Sequence, residues 1–188
     1  IDGPDFSFRV AKKLQDENIP LIHYVAPTVW AWRPGRAKKI AKLYDHLLAI
    51  LPFEPPYFEA EKLPTSFVGH HIAWWWKDRG DGAAFRKAHG IAIDAPLLAV
   101  FPGSRAGEIK RLWPIFRVAI DKLHAHLPAM NVVIQVQPSL IERMQAETRG
   151  WNVAPLILPN TEDKKDLFAA STAAIAKSGT IGLECVLA

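Results

Sequence analysis

The sequence predicts an α/β protein built on parallel sheets, and three observations carry that prediction. Short apolar runs rich in branched residues alternate with longer amphipathic stretches, the βαβ pattern of a sheet covered on both faces. The 188 residues are 49% hydrophobic and 22% charged, which suits one fair-sized core or two smaller ones and excludes disordered and collagen-like classes. No internal repeat or low-complexity tract interrupts the alternation.

In chain order, strands are expected near Leu21–Val25, His46–Leu51, Ser66–Val68, Leu97–Phe101, Val132–Val136, Ala154–Leu158 and Ala173–Ala176. Helices fall between them. Phe6, Val10, Ala11 and Leu14 recur at helical spacing, as do Ile109, Leu112, Phe116, Ala119, Ile120 and Leu123, and Leu140, Ile141 and Met144 form a shorter set. Pro114 is placed close enough to the second helix's start to be tolerated or to bend it. The alternation is weakest from Gly69 to Gly82, where Trp74-Trp75-Trp76 precedes a run of charges and glycines. A domain boundary is expected there, with residues 1–75 in one α/β half, 76–82 as linker, 83–188 in the other half, and a ligand cleft between the halves.

Several classes are excluded. Every apolar run is broken by Pro or a charge before the roughly 18 residues a membrane span needs. A single cysteine, Cys185, supports neither an intrachain disulfide nor a zinc knuckle, and a reducing cytoplasm fits best. P-loop, simple dinucleotide and hydrolase-elbow motifs are absent. The chain starts at Ile1 and ends inside an apolar pattern, so it reads as a piece of a longer protein. Net charge is only +4, yet Arg33, Arg36, Lys38, Lys39 and Lys42 follow Trp30 and Trp32 with no acid among them, a patch suited to phosphates, nucleic acid or an anionic membrane surface.

In parallel sheets ligands bind beyond the carboxyl ends of the strands. Pro102-Gly103-Ser104-Arg105 follows one expected strand, and Lys177-Ser178-Gly179-Thr180 another. Glycines let backbone approach a ligand, the following helix N-termini offer N–H groups, and Arg105 offers a planar fork. Two such loops suggest a diphosphate-sized anion, with Glu184, one turn beyond Thr180, placed to accept from a ribose diol. The same residues also make ordinary tight βα turns. Asp5 precedes an apolar-periodic helix and is expected to cap it. Asp2 lies at a strand end if Ile1 closes a strand, where it can act as a general base or brace a turn. His70-His71 are expected on an extended segment, pointing to opposite sides, with no ligand partners at metal spacing. Trp74–Trp76 read as interface packing.

Taken together, several ordered motifs resemble the lipid A disaccharide synthases, inverting glycosyltransferases of GT-B architecture. They are Ile1-Asp2-Gly3-Pro4-Asp5-Phe6, the run from Ile22 to Arg33 ending in Trp30-Ala31-Trp32-Arg33, Leu51-Pro52-Phe53-Glu54-Pro55, Phe67-Val68-Gly69-His70, Pro102-Gly103-Ser104-Arg105 with Glu108, and Ser178-Gly179-Thr180 with Leu183-Glu184. The resemblance implies two Rossmann-like domains facing across a cleft, both incomplete here: an acceptor-side domain carrying the catalytic base, then a UDP-sugar-binding domain. It implies transfer of 2,3-diacylglucosamine from its UDP conjugate to 2,3-diacylglucosamine 1-phosphate in lipid A biosynthesis. Asp2 is then the base and Arg105 an essential cation, with Gly103, Ser104, Ser178, Gly179, Thr180 and Glu184 on the donor. Trp30, Trp32, Arg33, Arg36 and Lys39 would meet the acceptor or membrane surface.

The resemblance further implies no metal or other cofactor, no nucleic acid, a cytoplasmic enzyme peripheral to the inner membrane, and a homodimer as one arrangement. Ala26 and Thr28 stand where relatives often have serine, and His71 where they often have proline. A UDP-sugar epimerase of the same architecture is the rival within the class; an RNA-binding module using the tryptophans and cations is the rival outside it.

Overall fold

The computed structural model describes residues 4–76, 78–160 and 164–188. The chain divides into two compact units, residues 1–74 and 75–188.

In the first unit, helix α1 (Pro4–Leu14) precedes strand β1 (Ile22–Tyr24), helix α2 (Arg36–Ile40), strand β2 (His46–Ala49), helix α3 (Pro55–Glu59), strand β3 (Thr65–Phe67) and helix α4 (His71–Trp75), whose last residue opens the second unit. The strands form one parallel sheet in the order β1-β2-β3, with Ile22 opposite His46 and Leu47 opposite Thr65. Ile40, Leu47, Phe58 and Leu63 are fully buried at its centre, with Phe8 and Tyr44 packed against them. Two prolines open α3, where a missing N–H costs nothing. The buried Glu54 carboxylate accepts the Leu51 N–H at 2.9 Å, so the Leu-Pro-Phe-Glu-Pro motif builds its own turn.

Two readings in this unit are corrected. Asp5 is not the residue that caps α1: the helix starts at Pro4, whose fixed φ suits a first helical position, and Asp5 stands in the first turn. Its carboxylate instead accepts from Arg36 Nη2 at 3.0 Å. Nor do His70 and His71 lie on an extended segment with opposed side chains. Helix α4 begins at His71, the two rings stack with centroids 4.7 Å apart, and His70 Nδ1 accepts the Ile72 N–H at 3.1 Å, capping that short helix. Burial first, then the neighbouring His71, lowers the His70 pKa against a smaller opposing effect of Glu54.

The second unit runs through helix α5 (Gly82–Ala88), strand β4 (Leu97–Phe101), helix α6 (Ala106–His126), strand β5 (Asn131–Val136), a 3-10 turn at Pro138–Leu140, helix α7 (Ile141–Thr148), strand β6 (Leu156–Pro159), helix α8 (Lys164–Ala170), strand β7 (Ala173–Ala176) and helix α9 (Thr180–Leu187). Its four parallel strands are ordered β6-β5-β4-β7. The chain thus steps outward from β4 through β5 to β6, then returns to the other side of β4, creating a topological switch point between β4 and β7.

All of β4 and nearly all of β5 are buried. One sheet face packs Leu98, Val100, Val132 and Ile134 under Ile109, Trp113 and Ile120 of α6 and Met144 of α7. Pro114 lies well inside α6 rather than near its first turn, and the helix continues past it to His126. The stretch before α5, read from its glycines as a linker, packs against α8. A Cβ at Gly80 would lie 2.2 Å from the Lys165 carbonyl carbon, and Trp76 is buried edge-on against Phe168 with centroids 5.3 Å apart. Those glycines serve close approach of two backbones. Trp75 and Trp74 remain exposed.

Candidate functional site

Polar groups from all four strand ends of the second unit converge at the switch point. A cavity of about 310 Å³ is lined by residues following each of the four strands: Gly103, Ser104 and Arg105 after β4, Gln135 and Gln137 at the end of β5, Asn160 after β6, and Lys177, Gly179 and Thr180 after β7. Lys164 at the start of α8 and Glu184 within α9 complete its polar wall. This is where parallel-sheet topology directs a ligand, because strand ends and helix N-termini meet there.

The two glycine-containing loops are positioned by backbone constraints. Gly103 adopts φ +132°, and a Cβ on it would lie 2.8 Å from Glu108 Oε2. Gly179 adopts φ +151° as the residue capping α9, a region open only to glycine. Glu108 ties both loops together. Its Oε2 accepts the Ser104 N–H at 3.0 Å, while Oε1 lies 3.3 Å from Arg105 Nη1 and 3.3 Å from Lys177 Nζ. Partial burial alone would raise the Glu108 pKa, but the Ser104 N–H, Lys177 and Arg105 together hold it below the ordinary carboxylate value. One carboxylate of the chain itself therefore gathers donors from both loops.

Of the residues expected on the donor, Gly103, Ser104, Arg105, Gly179, Thr180 and Glu184 come together here, whereas Ser178 is exposed and does not line the cavity. Glu184 is buried and paired with the Lys164 ammonium, so one of its oxygens is already engaged. Lys164, Gln135 and Asn160 are cavity residues that the sequence reading did not select. The rule of looking just past strand ends reaches Asn160, and the one amide among the central residues of β5 marks Gln135; nothing local marks Lys164.

In the first unit, Trp30 and Trp32 are exposed. Trp30 meets Phe53 edge-on at 5.2 Å, and the Arg33 guanidinium lies 4.1 Å above the Trp32 ring. Arg33, at φ +57°, joins Arg36 and Lys39 along a cavity floored by Phe8, Ile40 and Leu43. Arg36 is held by Asp5, while Lys38, Lys39 and Lys42 remain exposed. Asp2 lies outside the described residues. Among the described residues, no group of three or more His, Cys, Asp or Glu is placed to hold a metal ion, and no helix is long and apolar enough to cross a membrane.

Two parallel α/β sheets, one with a polar cavity at its switch point, fit part of a Rossmann-like fold of the GT-B type. Residues 1–188 match the family model described as lipid-A-disaccharide synthetase, and the chain belongs to that family. It is 53% identical over 190 residues to the lipid-A-disaccharide synthase of Rhodospirillum centenum, with all of this chain and 47% of that protein aligned. The corresponding enzyme of Ruegeria pomeroyi is 43% identical over 198 residues, and that of Gluconobacter oxydans 40% over 187; each alignment covers the whole chain, and 49% and 45% of those proteins. The chain spans about half the length of these curated relatives. The matches give no support to the epimerase or RNA-binding alternatives.

Proposed function

We propose that this chain is the part of a lipid A disaccharide synthase that binds the UDP-sugar donor and carries the catalytic base. The whole protein would transfer 2,3-diacylglucosamine from UDP-2,3-diacylglucosamine to 2,3-diacylglucosamine 1-phosphate. The observation that carries this reading is the convergence of Arg105, Lys177 and the Ser104 N–H on one anionic spot at the β4–β7 switch point. A leaving diphosphate presents the same kind of anionic oxygens that the Glu108 carboxylate presents.

In this reading, negative charge developing on the departing UDP is taken by Arg105, Lys177 and the N-termini of α6 and α9, with no metal ion required. Asp2, ionised, accepts the proton of the attacking 6-hydroxyl, and the anomeric centre inverts. The exposed tryptophans and lysines around Arg33 meet the anionic acceptor at the cytoplasmic face of the inner membrane, where basic side chains gain from acidic headgroups.

The test is calorimetric titration of UDP into the full-length protein containing this chain. Binding weakened at least tenfold by Lys177→Ala supports the site. No UDP binding, or binding indifferent to both Lys177→Ala and Arg105→Ala, removes it.

A further inference from the structure

Strand β5 reads Asn131-Val132-Val133-Ile134-Gln135-Val136 and is apolar at each of its central positions except one. Gln135 is 4% exposed, and neither its amide oxygen nor its amide nitrogen has a hydrogen-bond partner among the described residues. Buried amides are rarely left in that state, and an apolar residue of similar size would fit the strand better. The residue lines the switch-point cavity, and among the described residues no group of the protein competes with an occupant there for its amide.

The chemistry of the amide narrows the occupant. It offers one carbonyl acceptor and two N–H donors. A phosphate supplies acceptors only and would leave the amide oxygen unpaired. A group with an N–H beside a carbonyl satisfies both atoms at once. Placement agrees: β5 neighbours β4 on the side away from β7, so the amide stands about two strand spacings, roughly 10 Å, from the β7 loop that carries Lys177. A nucleoside diphosphate with its phosphates on the two basic loops can reach that position with its base.

We propose that Gln135 reads the imide edge of the donor's uracil, its oxygen accepting the ring N3–H and its nitrogen donating to an adjoining ring carbonyl. This rests on the reading of the cavity as a UDP-sugar site. Gln135 is thus a specificity residue for the base, separate from the groups that hold the phosphates.

The experiment measures dissociation constants of UDP and of ribose 5-diphosphate, which lacks the base, for the full-length protein and its Gln135→Leu and Gln135→Met variants. Thermal midpoints of the free proteins are taken alongside. The expected result is that the wild type prefers UDP, that both variants lose about tenfold or more in UDP affinity with ribose 5-diphosphate unchanged, and that neither midpoint falls. Equal losses for both ligands, no loss for UDP, or a lowered midpoint in both variants would overturn the role of Gln135. A wild type that binds both ligands equally also overturns it. A wild type that binds neither overturns the UDP-sugar reading itself, and this role with it.

Discussion

The Glu108 carboxylate lies 3.3 Å from the Lys177 ammonium, so one ion pair joins the loop after β4 to the loop after β7. Glu108 is also bonded by the Ser104 N–H, and its pKa is depressed. A depressed carboxyl pKa contributes stability that is present above the unfolded value near 4.5 and is lost as pH falls through the lower folded value. Glu108→Gln keeps an oxygen for Ser104 but removes the charge. Its denaturant midpoint should fall below wild type at pH 7 and converge with it in acid; a difference that stays constant with pH would assign the effect to packing.

Arg105→Ala in the full-length enzyme should lower kcat/KM by about 10²–10³, the loss typical of removing one donor that stabilises charge in the transition state. Its ion pair with Glu108 is exposed and so contributes little to the fold, and the thermal midpoint should hardly move. Unchanged turnover would remove Arg105 from the leaving-group site.

Asp2→Asn retains size and hydrogen bonding but cannot take a proton, so kcat should drop roughly 10²–10⁴-fold with UDP affinity preserved. Asp5→Asn is the control. Because Asp5 holds Arg36 at the surface and does not cap α1, it should cost at most about 1 kcal/mol of stability and leave turnover intact. If Asp5→Asn alone abolished activity, the base would have been misassigned.

Replacing the exposed Lys38, Lys39 and Lys42 with Ala should reduce binding to vesicles rich in anionic lipid, with the difference shrinking at high salt. Vesicle co-sedimentation reads this directly. Retained vesicle binding together with lost affinity for single-stranded RNA would favour a nucleic-acid role for the patch.

His23 packs between Phe8 and Tyr44, with ring centroids 5.6 and 4.7 Å away, and burial lowers its pKa. The unfolded chain therefore takes up a proton more readily, and stability should decline as pH falls below the ordinary value of 6.5. A His23→Phe variant should lack that part of the decline in urea titrations run between pH 7.5 and 5.5.

All seven strands fall on expected runs, and β4 and β5 were the plainest because a buried parallel strand is written as a compact apolar run. The long helix α6 was legible because its period repeats over several turns. Helices α2, α3 and α4, of five residues each, are too short to show a period, which is why His70 and His71 read as extended. At the site, glycines and Arg105 announce themselves through local chemistry. Lys164 does not, because its pairing with Glu184 joins α8 to α9 across the chain, a fact of topology rather than of neighbouring residues.

The strand order leaves the four-stranded sheet with two unlike margins. β6 closes in Pro159, which cannot donate to an added strand, whereas β7 is Ala173-Ala174-Ile175-Ala176, without a charge or a proline to discourage one. Its outer row of peptide groups is a ready template, so a preparation of these 188 residues alone should associate through β7 as its concentration rises. A lysine at Ala174, an exposed position, is the substitution that should keep it monomeric in sedimentation.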